Sequence, residues 1–354
     1  MHSGAQQQNH GAELPGSGSF EVGTLPVRRV AMLKNPAAGK GGAGDRALNA
    51  AQQLNRRGVD VLAIQGKDAA GARELAREMI ADESIDALVV AGGDGLISLA
   101  LQEQAESGKP LGIIPAGTGN DHAREFGIPL DPVKAANVIA DGFWATSDLG
   151  RMHRLAPGAD LTAVDAPRLD PSQAADPPEV SKWFGTIACN GFDSLVTDRT
   201  NAISWPKGRM RYNLAILLEF LNFHSIPMRL VLDPGEGPGG QPKQVIEENA
   251  TLVAIGNTRT YGGGMYVCPD ADHHDGVLEV TLLGRMSRAR AVWSFSRIFT
   301  GEIDGVAGVS QLRAKRVRID MPDMNTYADG EKFAQLPMEI EVVPGAGRFL
   351  VPRP

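Results

Sequence analysis

A glycine-rich loop at residues 92–95 has the residue types that phosphate binding needs. Its sequence is Gly-Gly-Asp-Gly, and it joins an apolar run at 86–91 to a helical pattern that begins at Leu96. Glycines let the backbone approach a ligand closely, and the free N–H groups of a helix start favour anions, phosphate above all. The carboxylate of Asp94 would repel phosphate unless a cation or a proton lies between them. The loop therefore predicts phosphate together with a metal ion, with a plain strand-to-helix turn as the alternative.

Two further loops stand at comparable junctions. Residues 35–42 (Asn-Pro-Ala-Ala-Gly-Lys-Gly-Gly) follow an apolar strand at 27–33, and residues 115–121 (Pro-Ala-Gly-Thr-Gly-Asn-Asp) follow another at 111–114. Amphipathic helical patterns separate these strands. Such alternation predicts the α/β class, with a doubly wound parallel sheet whose ligands bind outside the carboxyl ends of the strands. We expect the three loops to converge on one site at that edge.

The second half of the chain has a different pattern. Prolines and weak periodicity at 151–180 predict a mobile surface insertion or linker. Short apolar runs separated by Gly/Pro turns follow, and they predict a mostly antiparallel β-sandwich. We therefore expect a Gly-, Gln- and Ser-rich disordered tail at 1–26, an α/β domain at 27–147 that contains the three loops, and a β-sandwich domain at 148–354.

Composition excludes several classes of protein. The net charge of −7 argues against nucleic-acid binding, which usually needs a basic domain. Two cysteines, Cys189 and Cys268, cannot form a disulfide framework and indicate a reducing compartment. There is no signal-peptide pattern, and no run approaches the roughly 18 apolar residues that span a bilayer. These features predict a cytoplasmic protein.

The three loops, with the His-Ala-Arg that follows the third, resemble the nucleotide loops of the diacylglycerol kinase catalytic-domain family. That family includes soluble bacterial lipid kinases, sphingosine kinases and ceramide kinases, and the resemblance extends from Val27 to the C-terminus. It implies that the domain at 27–147 binds the nucleotide and that the active site lies in the cleft between the two domains. It also implies an enzyme that uses ATP and Mg²⁺ to transfer the γ-phosphate to a primary hydroxyl of a membrane lipid. Diacylglycerol is the first expected acceptor, and ceramide or a sphingoid base is the alternative.

The same resemblance assigns the nucleotide-binding residues. Small residues and backbone N–H groups suit a phosphate cradle, and a threonine hydroxyl adds a donor. The residues implied to bind ATP are Asn35, Pro36, Ala37, Ala38, Gly39, Gly92, Gly93, Asp94, Gly95, Gly117, Thr118, Asn120 and Asp121.

Three aspartates, Asp94, Asp121 and Asp148, are implied by the resemblance to form a water-bridged network around the catalytic Mg²⁺. This ion keeps several waters and takes few direct carboxylates, so an indirect network suits its chemistry. The alternatives are a helix N-cap for Asp121 and a strand-end carboxylate for Asp148.

An acidic turn at residues 269–277 (Pro-Asp-Ala-Asp-His-His-Asp-Gly-Val) fails as an EF-hand. Counted from Asp270, an EF-hand needs Gly at the sixth and Glu at the twelfth position, where this chain has Asp275 and Thr281. In the bacterial lipid kinases the matching turn binds a structural Mg²⁺. The resemblance therefore implies ligands from the Asp272 and Asp275 side chains and the Val277 carbonyl, with a metal-free β-turn as the alternative.

Residues 329–331 match the family's Asp-Gly-Glu motif. Phosphoryl transfer to an alcohol needs a carboxylate that accepts the hydroxyl proton in line with the γ-phosphate. The resemblance gives this role to Asp329 and places Glu331 near the metal, so the implied catalytic residues are Asp329, Glu331 and Asp94. The alternative is a hairpin turn, since Asp-Gly is a strong hairpin signal.

Leu96 departs from the family pattern, which usually has threonine directly after Gly-Gly-Asp-Gly. The lost hydroxyl would weaken or reshape the ATP contact, and it supports one alternative function, a non-catalytic protein that binds lipid or nucleotide. A second alternative is NAD kinase, which shares the Gly-Gly-Asp-Gly loop and a similar two-domain build. The full third loop and the Asp-Gly-Glu motif argue against it.

Two segments, 205–223 and 285–299, mix basic and aromatic residues as interfacial helices do. Their basic residues would attract anionic lipid, by about 1 kcal/mol each near the surface. We therefore expect transient contact with the membrane, as a peripheral protein of its inner face. The alternative is that each helix packs its apolar face on the sandwich. The sequence leaves a homodimer open.

Overall fold

The first half of the described chain alternates strands and helices, as the sequence predicts. The structure, a computed structural model, describes residues 20–34, 43–173, 179–191, 225–235, 242–285, 297, 301–302 and 306–354. The elements of this half are β1 (Val22–Thr24), β2 (Arg29–Lys34), α1 (Ala43–Arg56), β3 (Asp60–Ile64), α2 (Ala69–Ala81), β4 (Ala87–Gly92), α3 (Asp94–Gln104), β5 (Leu111–Pro115), α4 (Asp121–Glu125), α5 (Pro132–Asp141) and β6 (Phe143–Arg154).

Strands β2 to β5 form a parallel sheet in the order β3-β2-β4-β5. All six residues of β4 are buried, because helices cover both faces of this sheet and leave no polar side. The helices have local start signals. Asp68 caps α2 by accepting the Gly71 N–H, and Asp131 caps α5 in front of Pro132. These elements place the Gly-Gly-Asp-Gly loop at the carboxyl edge of the sheet.

The second half is antiparallel. Its elements are β7 (Ser181–Phe184), β8 (Ile187–Gly191), β9 (Ile226–Asp233), β10 (Gln244–Gly256), β11 (Thr260–Tyr261), β12 (Met265–Tyr266), β13 (Leu278–Gly284), β14 (Val309–Ala314), β15 (Arg316–Asp320), β16 (Asn325–Ala328), β17 (Glu331–Gln335) and β18 (Met338–Leu350). Strand β10 pairs with β8, β9 and β13, and the inward residues of these strands form a second core that is separate from that of the parallel sheet. The predicted fold class, a parallel α/β domain with an antiparallel β-sandwich domain, is confirmed.

Two long strands connect the halves. Strand β18 runs antiparallel to β6, from Met338 opposite Arg154 to Leu350 opposite Trp144. Near its end Phe349 aligns in parallel with Leu111 of β5, so the C-terminal strand closes the edge of the parallel sheet. The expected boundary between residues 147 and 148 therefore falls inside one continuous strand.

Part of the expected tail is ordered. Strand β1 pairs with residues 143–145 of β6, so the prediction of a disordered tail is corrected for the described residues from Phe20 onward. The glycine content suggested disorder, but Gly23 has a packing reason. A Cβ atom on it would lie 2.6 Å from the Trp144 ring, so only glycine lets β1 approach that side chain.

The expected mobile insertion at 151–180 is also corrected where it is described. Residues 151–154 belong to β6, and Leu161 packs with Leu155 against Val231 in a small core. Arg318 donates to the carbonyl oxygens of residues 161, 163 and 164. The segment is therefore fixed on the sandwich, because a buried arginine satisfies its backbone acceptors.

Several expectations fall on residues outside the described ranges. The predicted ATP-binding loop at 35–39 is one, and the two predicted interfacial segments are others apart from Arg285 and Arg297. Within the described part of the chain, no helix is long and apolar enough to cross a membrane.

Candidate active site

Two of the three predicted loops meet at their glycines. A Cβ atom on Gly117 would lie 2.5 Å from the Cα of Gly93, a separation that real Cβ atoms do not show. The Ala116 N–H donates to the Gly92 carbonyl at 2.8 Å. The glycines are therefore required for contact between the loops at the carboxyl edge of the sheet.

Asn120 shapes the third loop. Its side-chain oxygen accepts the Gly117 N–H at 2.9 Å, and its side-chain nitrogen donates to the Gly117 carbonyl at 3.0 Å. Its φ of 55° lies in the left-handed region, where asparagine is tolerated. Thr118 lies at the exposed tip of the same loop.

Asp94 lies in the first turn of α3 and is bound by one residue of α4. Its Oδ1 accepts the backbone N–H of His122 at 3.2 Å and lies 3.1 Å from the Nδ1 of the same residue. Burial alone would raise the pKa of Asp94, but the contacts with His122 outweigh burial and hold the pKa below its ordinary value. The carboxylate is therefore favoured as an anion.

Asp121 connects the parallel-sheet domain to the sandwich. Both of its oxygens accept the N–H of Gly263, at 3.0 Å, from the turn between β11 and β12. The N-cap position of α4 belongs to Asn120, so Asp121 does not cap this helix. Burial raises the pKa of Asp121, and the nearby charge of Asp94 adds to the effect.

Asp148 lies in the middle of β6, and the structure brings it to the acidic turn. Its Oδ2 accepts the Gly276 N–H at 2.7 Å, and its Oδ1 accepts the Gly345 N–H at 2.9 Å. Burial raises its pKa, and its principal charged neighbours are Asp275 and His274. Among the described residues, Asp148 makes no direct contact with Asp94 or Asp121.

The acidic turn is held by protein contacts. Asp272 accepts the His274 N–H at 3.1 Å, and Asp275 accepts the Val277 N–H at 3.1 Å and contacts Arg313. Burial lowers the pKa of His273 to about 3, and its ring packs against Phe126 of the other domain. The part of the chain that the structure describes contains no cluster of three or more metal-binding side chains. The carboxylates of Asp272 and Asp275 contact protein groups in this structure. A structural Mg²⁺ at this turn stays a prediction.

Asp329 and Gly330 form the two-residue turn between β16 and β17. Both have positive φ, 51° and 79°, as a type I′ hairpin requires, so the hairpin interpretation describes the backbone correctly. The Asp329 carboxylate nevertheless points inward. It accepts the Gly185 N–H at 3.1 Å and the N–H and Oγ1 hydroxyl of Thr186 at 2.8 and 2.6 Å.

The same hairpin carries Glu331 to the start of α3. A Cβ atom on Gly95 would lie 2.6 Å from Glu331 Oε1, which places this carboxylate against the Gly-Gly-Asp-Gly loop. Asp329 lies across the His122 ring from Asp94, with its Oδ2 3.9 Å from the ring Nε2. Asp94 and Asp121 from one domain and Asp329 and Glu331 from the other thus lie along the same domain boundary. We call these four residues the acid cluster.

Within the acid cluster, one pair of carboxylates, Asp94 and Asp121, fits a hard divalent cation. A Cβ atom on Gly119 would lie 2.9 Å from Asp94 Oδ2 and 3.2 Å from Asp121 Oδ2, so these two oxygens face the same small space. Mg²⁺ is typically held by one or two carboxylates, waters and substrate phosphates. This pair, beside two glycine loops, supplies that donor set.

Leu96 has a structural explanation. It is 9% exposed and belongs to the core under the parallel sheet, and a Cβ atom on Gly92 would lie 2.8 Å from its Cδ2. The side chain is therefore turned into the core below the loop. Its contribution is packing, in the position where the family's threonine carries a hydroxyl.

Sequence reasoning missed three groups that hold the acids. His122 binds Asp94, Thr186 binds Asp329, and Gly263 binds Asp121. A run of three glycines at 262–264 was a signal that backbone approaches closely there. His122 stands directly after a predicted site residue, whereas nothing in the local sequence distinguishes Thr186.

Two family models match the chain. The model described as the diacylglycerol kinase catalytic domain matches residues 29–152. The model described as the YegS C-terminal NAD kinase beta sandwich-like domain matches residues 186–351.

A solved structure of a diacylglycerol kinase from Bacillus anthracis str. Sterne aligns with a TM-score of 0.63 at 17% identity, over 93% of this chain and 98% of that chain. A second structure from the same organism reaches a TM-score of 0.69 at 20% identity, over 93% and 99%. These structural likenesses support the fold.

The fold and the family models together define a protein of the lipid-kinase class. A diacylglycerol kinase of Mycobacterium tuberculosis is 44% identical over 328 residues, which cover 92% of this chain and 96% of the relative. A probable lipid kinase, YegS-like, of Stenotrophomonas maltophilia is 28% identical over 89% of this chain and 94% of the relative. The chain belongs to the diacylglycerol kinase family.

Proposed function

We propose that this chain is an ATP- and Mg²⁺-dependent lipid kinase that transfers the γ-phosphate of ATP to a primary hydroxyl of a membrane lipid. Diacylglycerol is the first proposed acceptor, and ceramide or a sphingoid base is the second. The observation that carries the proposal is the acid cluster, in which a hairpin from the sandwich brings Asp329 and Glu331 to the loop that contains Asp94.

Asp329 is the proposed general base. Its carboxylate is oriented by three donors from Gly185 and Thr186, all of them neutral. A carboxylate held in this way can accept the proton of an acceptor hydroxyl as it attacks the γ-phosphate. Position is decisive for this step, since small displacements of a base from its substrate cost large factors in rate.

The glycine loops and the two aspartates of the nucleotide-binding domain are proposed to hold the phosphates. Helix α3 begins at Asp94, beside the contact between Gly93 and Gly117, and the start of a helix favours phosphate. Asp94 and Asp121 would hold Mg²⁺, directly or through water, and Glu331 lies against Gly95, the residue after Asp94. The bound ion would supply charge neutralisation for the phosphate oxygens. Residues 35–39 complete the proposed nucleotide site from outside the described ranges.

A panel of acceptors tests the activity. Purified protein is incubated with labelled ATP, Mg²⁺ and mixed micelles of diacylglycerol, ceramide or sphingosine, and with NAD in a separate reaction. Labelled phosphatidic acid is the expected product. Label in NADP alone would identify an NAD kinase, and label in no acceptor would support the non-catalytic alternative. Either result would overturn the proposal.

The variant Asp329→Asn is the matched control for the panel. It keeps the size of the side chain and removes the charge, so loss of activity with an unchanged circular dichroism spectrum is expected. Near-full activity in this variant would show that the base is another residue.

Membrane contact is a separate part of the proposal. The basic and aromatic segments at 205–223 and 285–299 are proposed to bind the anionic inner face of the membrane transiently. Sedimentation with vesicles of neutral lipid, and with vesicles that contain anionic lipid, tests this. We expect more protein in the anionic pellet, and equal binding to both would overturn the electrostatic attraction.

A further inference from the structure

His122 lies between two carboxylates that come from different domains. Its side chain is 0% exposed. On one side Nδ1 lies 3.1 Å from Asp94 Oδ1, and on the other side Nε2 lies 3.9 Å from Asp329 Oδ2. One imidazole ring thus faces an acid of the nucleotide loop and the proposed base of the sandwich.

The residues around Nε2 hold the His122 ring in its position next to Asp329. Nε2 is buried and has no hydrogen-bond partner among the described residues. A Cβ atom on Gly185 would lie 2.6 Å from Nε2, so only glycine leaves room for the ring at this position. Because Gly185 also donates its N–H to Asp329, the same short segment locates both the ring and the carboxylate.

Packing alone does not account for a histidine here. A buried polar nitrogen without a partner costs free energy, and an apolar aromatic side chain would fill similar space without that cost. An imidazole can present N–H groups at two opposite positions, which few side chains of its size can do. The arrangement suits a group that must contact acids on both sides.

We propose that His122 is a positioning residue that couples Asp94 to Asp329 across the domain boundary. This role rests on the proposed kinase function. The ring holds the Asp94 carboxylate from one side and limits the approach and rotation of the Asp329 carboxylate from the other. His122 acts in the step in which Asp329 accepts the proton of the acceptor hydroxyl. Its loss therefore lowers kcat more than it weakens the binding of ATP.

Three substitutions separate the two sides of the ring. His122→Asn retains a polar group near the Nδ1 position, His122→Gln retains one near the Nε2 position, and His122→Phe retains neither. For His122→Phe we expect kcat to fall about 30- to 100-fold while KM for ATP changes less than about threefold. His122→Gln should recover more kcat than His122→Asn, because it restores the group that faces Asp329. A kcat within about threefold of wild type in His122→Phe would overturn the proposal.

His153→Phe is the matched control. His153 is also buried, and its Nε2 lies 3.0 Å from Glu341 Oε1, in the sandwich. This substitution should lower the unfolding temperature and leave kcat unchanged below that temperature. Equal losses of kcat in both phenylalanine variants would assign the effect to general destabilisation and would contradict a positioning role.

A double-mutant cycle tests whether His122 acts through Asp329. Thr186→Val removes the hydroxyl that donates to Asp329 Oδ1 at 2.6 Å. If both residues orient one carboxylate, the loss of kcat in the double variant will be smaller than the product of the two single losses. Independent losses that multiply would overturn the coupling. Wild-type protein that phosphorylates no lipid would overturn the proposed function itself, which the acceptor panel detects first.

Discussion

Two groups of acids in this protein are held in different ways. The acid cluster is held mainly by backbone N–H groups, a hydroxyl and one imidazole. In the sandwich, by contrast, Glu339 accepts from Arg168 at 2.7 Å and from Arg318 at 2.6 Å. We call the second group the arginine–glutamate network; its members are His153, Arg168, Arg316, Arg318, Glu339 and Glu341.

The difference separates acids held by ion pairs from the acids of the proposed active site. In the network, burial would raise the pKa of Glu339, but the contacts with arginine outweigh burial and lower this pKa. The hydrogen bond with His153 lowers the pKa of Glu341 to about 2. These charges are neutralised within the protein. In the acid cluster, Asp121 has one arginine contact, with Arg124 at 3.5 Å, and the other described contacts of its acids are with neutral donors or His122. The remaining negative charge is suited to a cation that arrives with the substrate.

The largest expected effect is on catalysis. Asp94→Asn removes a charge at the point where the loops meet, so we expect kcat to fall about 10³-fold, or about 4 kcal/mol, with little change in the unfolding temperature. Steady-state kinetics and thermal unfolding measure the two quantities. Asp165→Asn, at an exposed position, is the control and should retain full activity. Retained activity in Asp94→Asn would remove this residue from the site.

The second expected effect is on stability. Arg318→Met leaves Glu339 buried beside one fewer cation and frees the carbonyl oxygens of the 161–164 segment, so we expect a loss of about 3 kcal/mol in the free energy of unfolding. Urea denaturation measures this loss, and kcat should stay unchanged. Arg316→Met is the control, because its side chain is 39% exposed and its ion pairs are longer. We expect it to cost less than about 1 kcal/mol. A loss of kcat in Arg318→Met would contradict the separation of the two groups.

A third prediction concerns the glycines that bring the acid cluster together. In Gly117→Ala the new methyl group meets the Cα of Gly93, which cannot move without shifting both loops, whereas in Gly95→Ala it meets the flexible end of Glu331. We therefore expect kcat to fall about 100-fold in the first variant and about tenfold in the second. Similar activity in both would mean that the loops are not fixed by this contact.

The smallest expected effect involves an acid outside both groups. Burial raises the pKa of Glu279 to about 7, and its Oε2 has no hydrogen-bond partner in the described part of the chain. Because the folded state holds this proton more tightly than the unfolded state, Glu279 lowers stability as the pH rises from about 4.5 to about 7. Glu279→Gln should therefore exceed wild type in unfolding temperature by a few °C at about pH 8, and by less at about pH 5. A difference that does not depend on pH would contradict the raised pKa.

Much of the architecture could be predicted from the sequence, because local signals and global fold agree. The buried run before Gly92 and the amphipathic helices fix a parallel sheet, and the hairpin signal at Asp329 describes its backbone. The neighbourhood of Asp94 and the approach of Glu331 followed from family resemblance and sheet topology. The strands, the helices and the hairpin could be predicted because each is specified by its own short segment of the sequence.

The remaining parts depend on contacts between distant residues. The partner of Asp121 is the N–H of Gly263, and the partners of Asp148 are Gly276 and Gly345, all far along the chain. No pattern within either segment specifies such pairs. The ordered β1 was missed for the same reason, since the glycine that suggested disorder is required by Trp144.

The strand β18 determines how the molecule can be divided. Its last residues return to the parallel sheet, where Phe349 is fully buried and stacks on Phe126 at 4.2 Å between ring centroids. A fragment that stops at residue 147 would expose the edge of β5 and lose that ring from its core. The parallel-sheet half therefore needs a side chain from the far end of the chain, and a cut at residue 147 would leave its core incomplete.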